Sequence, residues 1–155
     1  LGMSTPQIQF RFEHGGEFVA NLLVDKAPET VRAILDALPI ETIVYHSRWS
    51  GREVNFPVSI DSSLVRENDT TIVNTGDVIY WKEWEKKTGA AEAVAVYYGA
   101  EVTRDHRGYL PVNVFARIPP DQWARIEEVG IRIWQQGAER ITVTRVSNGS
   151  DLEEE

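Results

Sequence analysis

The sequence predicts a mainly β fold of about eight short strands and two helices, arranged as a closed barrel or a sandwich. Three observations predict it. Short runs of alternating apolar and polar residues recur along the chain, as in Ile8, Phe10 and Phe12 set between Gln7, Gln9, Arg11 and Glu13, the period of a half-buried strand. Turn signals separate these runs, among them His14-Gly15-Gly16, Ser50-Gly51 and Asn74-Thr75-Gly76-Asp77. Only two stretches carry the 3.6-residue period of a helix.

Taken in order, Gln7–Glu13 and Phe18–Leu23 form an opening hairpin around the two glycines. The first helix spans Ala27–Pro39. Val31, Ile34, Leu35 and Leu38 make its apolar stripe, Pro28 suits its first position, Glu29 complements the positive end of its dipole, and Pro39 ends it. Ile40–Trp49 and Arg52–Ile60 form a second hairpin, with Pro57 marking an edge or a bulge. Asp61–Thr71 is polar and reads as a loop with a short strand at its end. Val78–Trp81 is a strand, and Lys82–Gly89 reads as an exposed charged loop containing Trp84. Ala91–Tyr98 is nearly continuously apolar, as expected of a strand buried on both faces. Gly99–Pro111 is a longer loop, with a solvated basic stretch at Arg104–Arg107, and Val112–Ile118 is another strand. Pro119-Pro120-Asp121 opens the second helix, striped by Trp123, Ile126, Val129, Ile133 and Trp134 and stopped at Gly137. Gly130 inside it costs about 1 kcal/mol of helix propensity. Ile141–Val146 is the last strand. These elements are expected to form one domain over residues 5–147, followed by an acidic disordered tail at 148–155.

Composition excludes several functions. The chain of 155 residues has no cysteine, so disulfides, thiolate nucleophiles and zinc–thiolate sites are absent, which fits a reducing cytoplasm. Net charge is −8. Half of that excess lies in Asp151, Glu153, Glu154 and Glu155, and no basic stripe is visible, so nucleic acid is not an expected partner. No apolar run approaches the roughly 20 residues of a membrane helix, and no charged-then-apolar leader is expected. His14, His46 and His106 are far apart and no acidic loop motif occurs, so neither a metal site nor a cofactor is expected.

The most chemically loaded stretch runs from Tyr45 to Pro57. Read as a strand, a turn at Ser50-Gly51 and a returning strand, it puts His46 and Arg48 on one face and Tyr45, Ser47 and Trp49 on the other. Arginine's rigid fork suits a carboxylate or amide. Its alternative is a surface arginine paired with Glu53. His46 is either a hydrogen-bonded sheet histidine or an acid–base group beside Arg48. Tyr45, Trp49, Tyr80, Trp81, Tyr97 and Tyr98 are either packing aromatics or a stacking wall. No nucleophile elbow accompanies Ser47, Ser50 or the Asp105-His106 pair.

The order of hairpin, helix, strands and a second helix before the final strand resembles the cyclophilin fold. Leu23-Val24-Asp25-Lys26-Ala27-Pro28-Glu29-Thr30, Tyr45-His46-Ser47-Arg48 and Val112-Asn113-Val114-Phe115-Ala116-Arg117-Ile118 are similar to that family's first-helix approach, its arginine-bearing strand and its late strand. Arg48-Trp49-Ser50-Gly51, Gly76-Asp77-Val78-Ile79-Tyr80-Trp81 and Tyr97-Tyr98-Gly99 resemble the small bacterial and archaeal cyclophilin-like proteins of uncharacterised function. The resemblance implies a closed eight-stranded antiparallel barrel capped by two helices. It also implies that Arg48 matches the isomerase arginine, with Phe56 and Tyr98 as walls. The segment after the arginine, Arg52-Glu53-Val54-Asn55-Phe56-Pro57, lacks the family's glutamine, and Val112 stands where its histidine is expected.

The leading expectation is a barrel that binds a small polar or anionic metabolite, or a peptide segment, in a cleft beside Arg48. Its candidate ligand residues are His46, Arg48, Phe56, Tyr98, Tyr45 and Trp49. One alternative is an enzyme, either a residual prolyl isomerase or an amide- or lactam-processing protein. The other is a non-catalytic subunit whose Trp49 and Trp84 are buried between copies of a homo-oligomer.

Overall fold

The computed structural model describes residues 5–61 and 63–146. The tail expectation at 148–155 lies outside the described residues. Long strands are β1 (Gln7–Phe12), β2 (Glu17–Leu22), β3 (Ile40–His46), β4 (Glu53–Val58), β7 (Asp77–Lys82), β8 (Glu92–Tyr97), β12 (Val112–Arg117) and β13 (Glu139–Arg145). Two-residue strands are β5 (Asp69–Thr70), β6 (Ile72–Val73), β9 (Glu101–Val102), β10 (Arg104–Asp105) and β11 (Gly108–Tyr109). The helices are α1 (Pro28–Ala37) and α2 (Trp123–Gln136), the latter preceded by a 3₁₀ turn at Pro120–Gln122.

The long strands pair in the order β2-β1-β13-β3-β4-β8-β7-β12, and β12 returns to β2 through Ala116↔Leu22 and Arg117↔Asn21. The result is a closed eight-stranded antiparallel barrel with two helices, and β5 lies alongside β12. Closure removes the edges and gives every strand an inside and an outside. Phe10, Phe18, Phe56, Tyr80, Val94, Val96 and Phe115 fill the interior. On the outside, Val73, Ile79, Ala95, Tyr97, Val112 and Val114 form a second buried cluster. The short ladders β6–β9 and β10–β11 belong to the loops near it. This explains why β8 is apolar after Glu92: Val94 and Val96 face the interior cluster, while Ala95 and Tyr97 belong to the outer one.

The first helix begins at Pro28 as expected, but its cap comes from afar. The Glu67 carboxylate accepts from the backbone N–H groups of Glu29 and Thr30 and from the Thr30 hydroxyl. Buried Asn113 accepts from the Glu67 N–H and donates to Thr30 Oγ1 and to the Val65 carbonyl. One strand residue thus ties the polar 61–71 segment to the start of α1, satisfying donors that Ala27 cannot.

Helix α2 buries Ile126, Val129, Gly130 and Ile133. The two tryptophans of the expected stripe fall at its margins, Trp134 being 65% exposed. Gly130 is explained by contact: a methyl there would overlap the Tyr98 ring. Two residues further along α2, Arg132 donates through two nitrogens to the Glu139 carboxylate at 2.9 Å each, and also to the Gly15 carbonyl. Glu139 further accepts from the His14 N–H. Helix, first hairpin and last strand meet at this buried carboxylate.

Several expectations are corrected. Strand β3 stops at His46, so Arg48 and Trp49 belong to the turn. Strand β4 is interior, between β3 and β8, not an edge; the β3–β4 ladder holds only Tyr45↔Asn55 and His46↔Val54, so Pro57 lies past its end. Lys82 is a buried strand residue. Trp84 is half-buried, donating to the Pro111 carbonyl and packing edge-on against Tyr80. The Arg104–Arg107 stretch is exposed at Arg104, His106 and Arg107, as expected, but it is not plain loop: Arg104–Asp105 pair with Gly108–Tyr109, and Arg107 pairs with Asp105 at 2.7 Å. No helix among the described residues is long and apolar enough to cross a membrane.

Two substitutions test this packing. Gly130→Ala gains helix propensity but overpacks Tyr98, and a net loss of about 1–3 kcal/mol is expected in urea unfolding. Arg132→Ala strands the Glu139 carboxylate, and a loss of about 3–5 kcal/mol is expected by the same measurement.

A hollow on the outer barrel wall with a buried acid in it

Strand alternation divides the loaded stretch between two sides of the wall. Val44, Val54 and Phe56 face the interior. Tyr45, Glu53 and Asn55 face outward, as do Ala93, Ala95 and Tyr97 on β8 and Ile79 and Trp81 on β7. These outward residues, with Ser47–Ser50, Thr103–Asp105, Leu110 and Val112, line a hollow of about 480 Å³. Its surface is mostly apolar, with a few polar groups among the lining residues, the composition expected of a small-molecule site.

The turn above the hollow is built by Ser47. Its Oγ accepts from the N–H groups of Trp49 and Ser50 at 3.1 and 2.9 Å, a side-chain turn that ends the strand. Ser50 Oγ donates to the Arg104 carbonyl and accepts from the Arg104 N–H, while Arg104 Nε donates to the Trp49 carbonyl. Arg52 pairs with Glu101 at 2.6 Å on the other side of the turn. Burial pushes the Glu101 carboxyl up, but the bonds from Arg52 outweigh it and hold the group below its ordinary range. Arg48 is therefore carried on a braced turn, exposed, with no ion-pair partner among the described residues.

Glu53 is the unexpected member. It is not the surface partner of Arg48 but is 6% exposed and lines the hollow. Asn55 Nδ2 donates to it at 2.6 Å, and it also bonds the Tyr97 and Ser47 side chains. Burial raises its carboxyl above the ordinary range, against those three bonds, which favour the charged form. Burial and the neighbouring Glu53 in turn push the Tyr97 hydroxyl up. A carboxyl that resists ionisation inside a concavity is the kind of group that does acid–base work.

Of the expected ligand residues, Tyr45, His46, Arg48 and Trp49 line the hollow. Phe56 and Tyr98 do not. Phe56 is 1% exposed in the interior, edge-on to Phe10 at 6.4 Å. Tyr98 packs under α2, and its hydroxyl bonds His46 Nε2 at 2.5 Å. The imidazole is thus held on the α2 side, with Nδ1 against the Ser47 carbonyl. Sequence reasoning named Tyr97 as a packing or stacking ring and Glu53 as a surface partner of Arg48, and it missed Asn55, Thr103 and the burial of Glu53, because a lone glutamate on a strand reads as solvated; only its pairing with Tyr97 across β4–β8 marks it. A second groove, of about 790 Å³, runs along 63–66, 81–86, 105 and 107–111. Its charges are largely paired with one another, as Lys86 and Arg107 are with Glu83.

Fold and site together define a closed antiparallel barrel with an acid-floored hollow on its outer wall. The chain belongs to the family described as "Protein of unknown function (DUF3830)", whose model matches residues 12–145. It is similar to the hypothetical protein AF2241 from Archaeoglobus fulgidus, known from a solution structure. Identity there is 28% and the TM-score 0.61, over 94% of this chain and 100% of that one. It is also similar in fold to McbB, whose structure was solved in complex with tryptophan. There the identity is 20% and the TM-score 0.67, over 92% of this chain but only 45% of McbB. No curated protein matches.

The raised carboxyl has a consequence for stability. Because folding favours protonated Glu53, its contribution is fully present below the unfolded carboxyl's range and is lost as pH rises through the folded value. Urea unfolding free energies of the wild type should therefore fall over that interval relative to Glu53→Gln, and parallel pH profiles for the two would contradict the assignment.

Proposed function

We propose that the protein binds a small molecule with an apolar, planar body and an anionic group in the outer hollow, the anion facing Arg48. The observation that carries this reading is Arg48 itself, an arginine without an ion pair among the described residues, on a braced turn above an apolar hollow flanked by Tyr45, Trp49 and Trp81. A guanidinium supplies paired donors to a carboxylate, and rings supply stacking area for a planar body. The element order, with one helix after the first hairpin and the other before the last strand, supports the reading of the barrel as cyclophilin-like. The isomerase alternative is less well supported, since both of its expected walls, Phe56 and Tyr98, lie away from the hollow.

Trp49 and Trp81 line the hollow, so ligand entry should change intrinsic fluorescence. A panel of aromatic carboxylates with their amides, tryptophan included because McbB was solved with it, is expected to bind in the acid forms and weakly as amides. Arg48→Ala should weaken the acids by about tenfold, the loss of one charge-assisted contact. Equal binding of acid and amide, or an unchanged Arg48→Ala, would rule the reading out.

A further inference from the structure

We propose that the hollow is a proton-transfer site, in which the Glu53 carboxyl exchanges a proton with the carbon of a bound aromatic 2-oxo acid and interconverts its enol and keto forms. This rests on the reading of the hollow as an aromatic-acid site and adds chemistry to it.

The side chains around the hollow narrow the choice of reacting group. Its serine and threonine hydroxyls are engaged: Ser47 by two backbone N–H groups, Ser50 by Arg104, and Thr103 Oγ1 by the Leu110 carbonyl at 2.5 Å. Asp105 is held by Arg107, which donates to it through two nitrogens and keeps its carboxyl below the ordinary range. His46 is bonded at both nitrogens. Glu53 is different. It sits within the wall, kept from water, oriented by Asn55 and Tyr97, and its burial favours the protonated form. A buried carboxyl whose surroundings favour the protonated form can give that proton to carbon and take it back.

The same hollow holds what a 2-oxo acid needs: a guanidinium for its carboxylate, rings for its aryl group, and an acid for its reactive carbon. In the ketonising direction the enol double bond supplies the electron pair for a new C–H bond, and the proton comes from Glu53. The enol O–H bond breaks, its proton leaves to solvent, and its electrons complete the carbonyl. Solvent then returns a proton to Glu53. Nothing is oxidised or reduced, and no co-reactant is consumed.

The probe is enol-phenylpyruvate, with ketonisation followed by loss of its ultraviolet absorbance. Calorimetric binding of 3-phenylpropanoate serves as a separate readout. The wild type is expected to bind 3-phenylpropanoate and to accelerate ketonisation. Glu53→Gln should keep that binding within about twofold and lose at least about 100-fold in kcat, the usual worth of a positioned acid. Should Glu53→Gln fail to fold, Glu53→Asp carries the test, and withdrawal of the carboxyl by one methylene should slow turnover by about 10-fold to 100-fold. If 3-phenylpropanoate binds but ketonisation is not accelerated, or Glu53→Gln retains full turnover, the proton-transfer role is overturned while the binding role stands. If 3-phenylpropanoate does not bind, the ligand class fails, and both fall with it.

Discussion

Closure of the barrel is the constraint on which the remaining structure depends. The β2–β12 join is short, through Ala116↔Leu22 and Arg117↔Asn21, yet it converts a sheet with two edges into a wall with two faces. Once the wall is closed, the period-2 alternation of each strand assigns every side chain to the interior or the exterior. Val54 and Phe56 go inward, Glu53 and Asn55 outward. The interior takes the phenylalanines, and the exterior between β4 and β12 is left with a patch of Ile79, Ala95, Tyr97, Val112 and Val114 that water alone would not cover.

That exterior patch explains the loops. Residues 99–111 keep an exposed side but are not a free loop. They form short ladders, and Thr103, Arg104, Asp105 and Leu110 come to line the hollow against the outer wall. Because the 47–50 turn is stitched to Arg104 through Ser50 and the Trp49 carbonyl, the hollow is bounded by two segments that brace each other. The burial of Glu53 follows from the same packing. Its strand position is ordinary, and what removes it from water is the neighbouring Tyr97 ring together with the turn carrying Ser47.

Polar anchoring elsewhere follows a common pattern. Glu67 caps α1 from a distance, held by buried Asn113, and Arg132 and Glu139 fix α2 to the first hairpin. No buried side-chain nitrogen or oxygen among the described residues lacks a hydrogen bond. The helices are thus set by a few specific bonds as well as by their apolar stripes, and α2 can approach closely enough for Gly130 to meet Tyr98.

The amino-acid sequence by itself determined the eight long strands, both helices and the double burial of Ala91–Tyr98, because these depend on local period, turn chemistry and proline placement. It also marked Tyr45–Trp49 as part of the candidate site. Tertiary structure alone decided which wall face each group occupies relative to the loops. It turned Arg48 out of the strand through the Ser47 turn, sent Phe56 and Tyr98 inward, drew the Arg104 segment back, and buried Glu53. The physical reason is range. Alternation and helical period are set between neighbours in the chain, whereas the burial of a carboxylate depends on residues that approach it only when the barrel closes, here Tyr97, 44 positions away in the numbering.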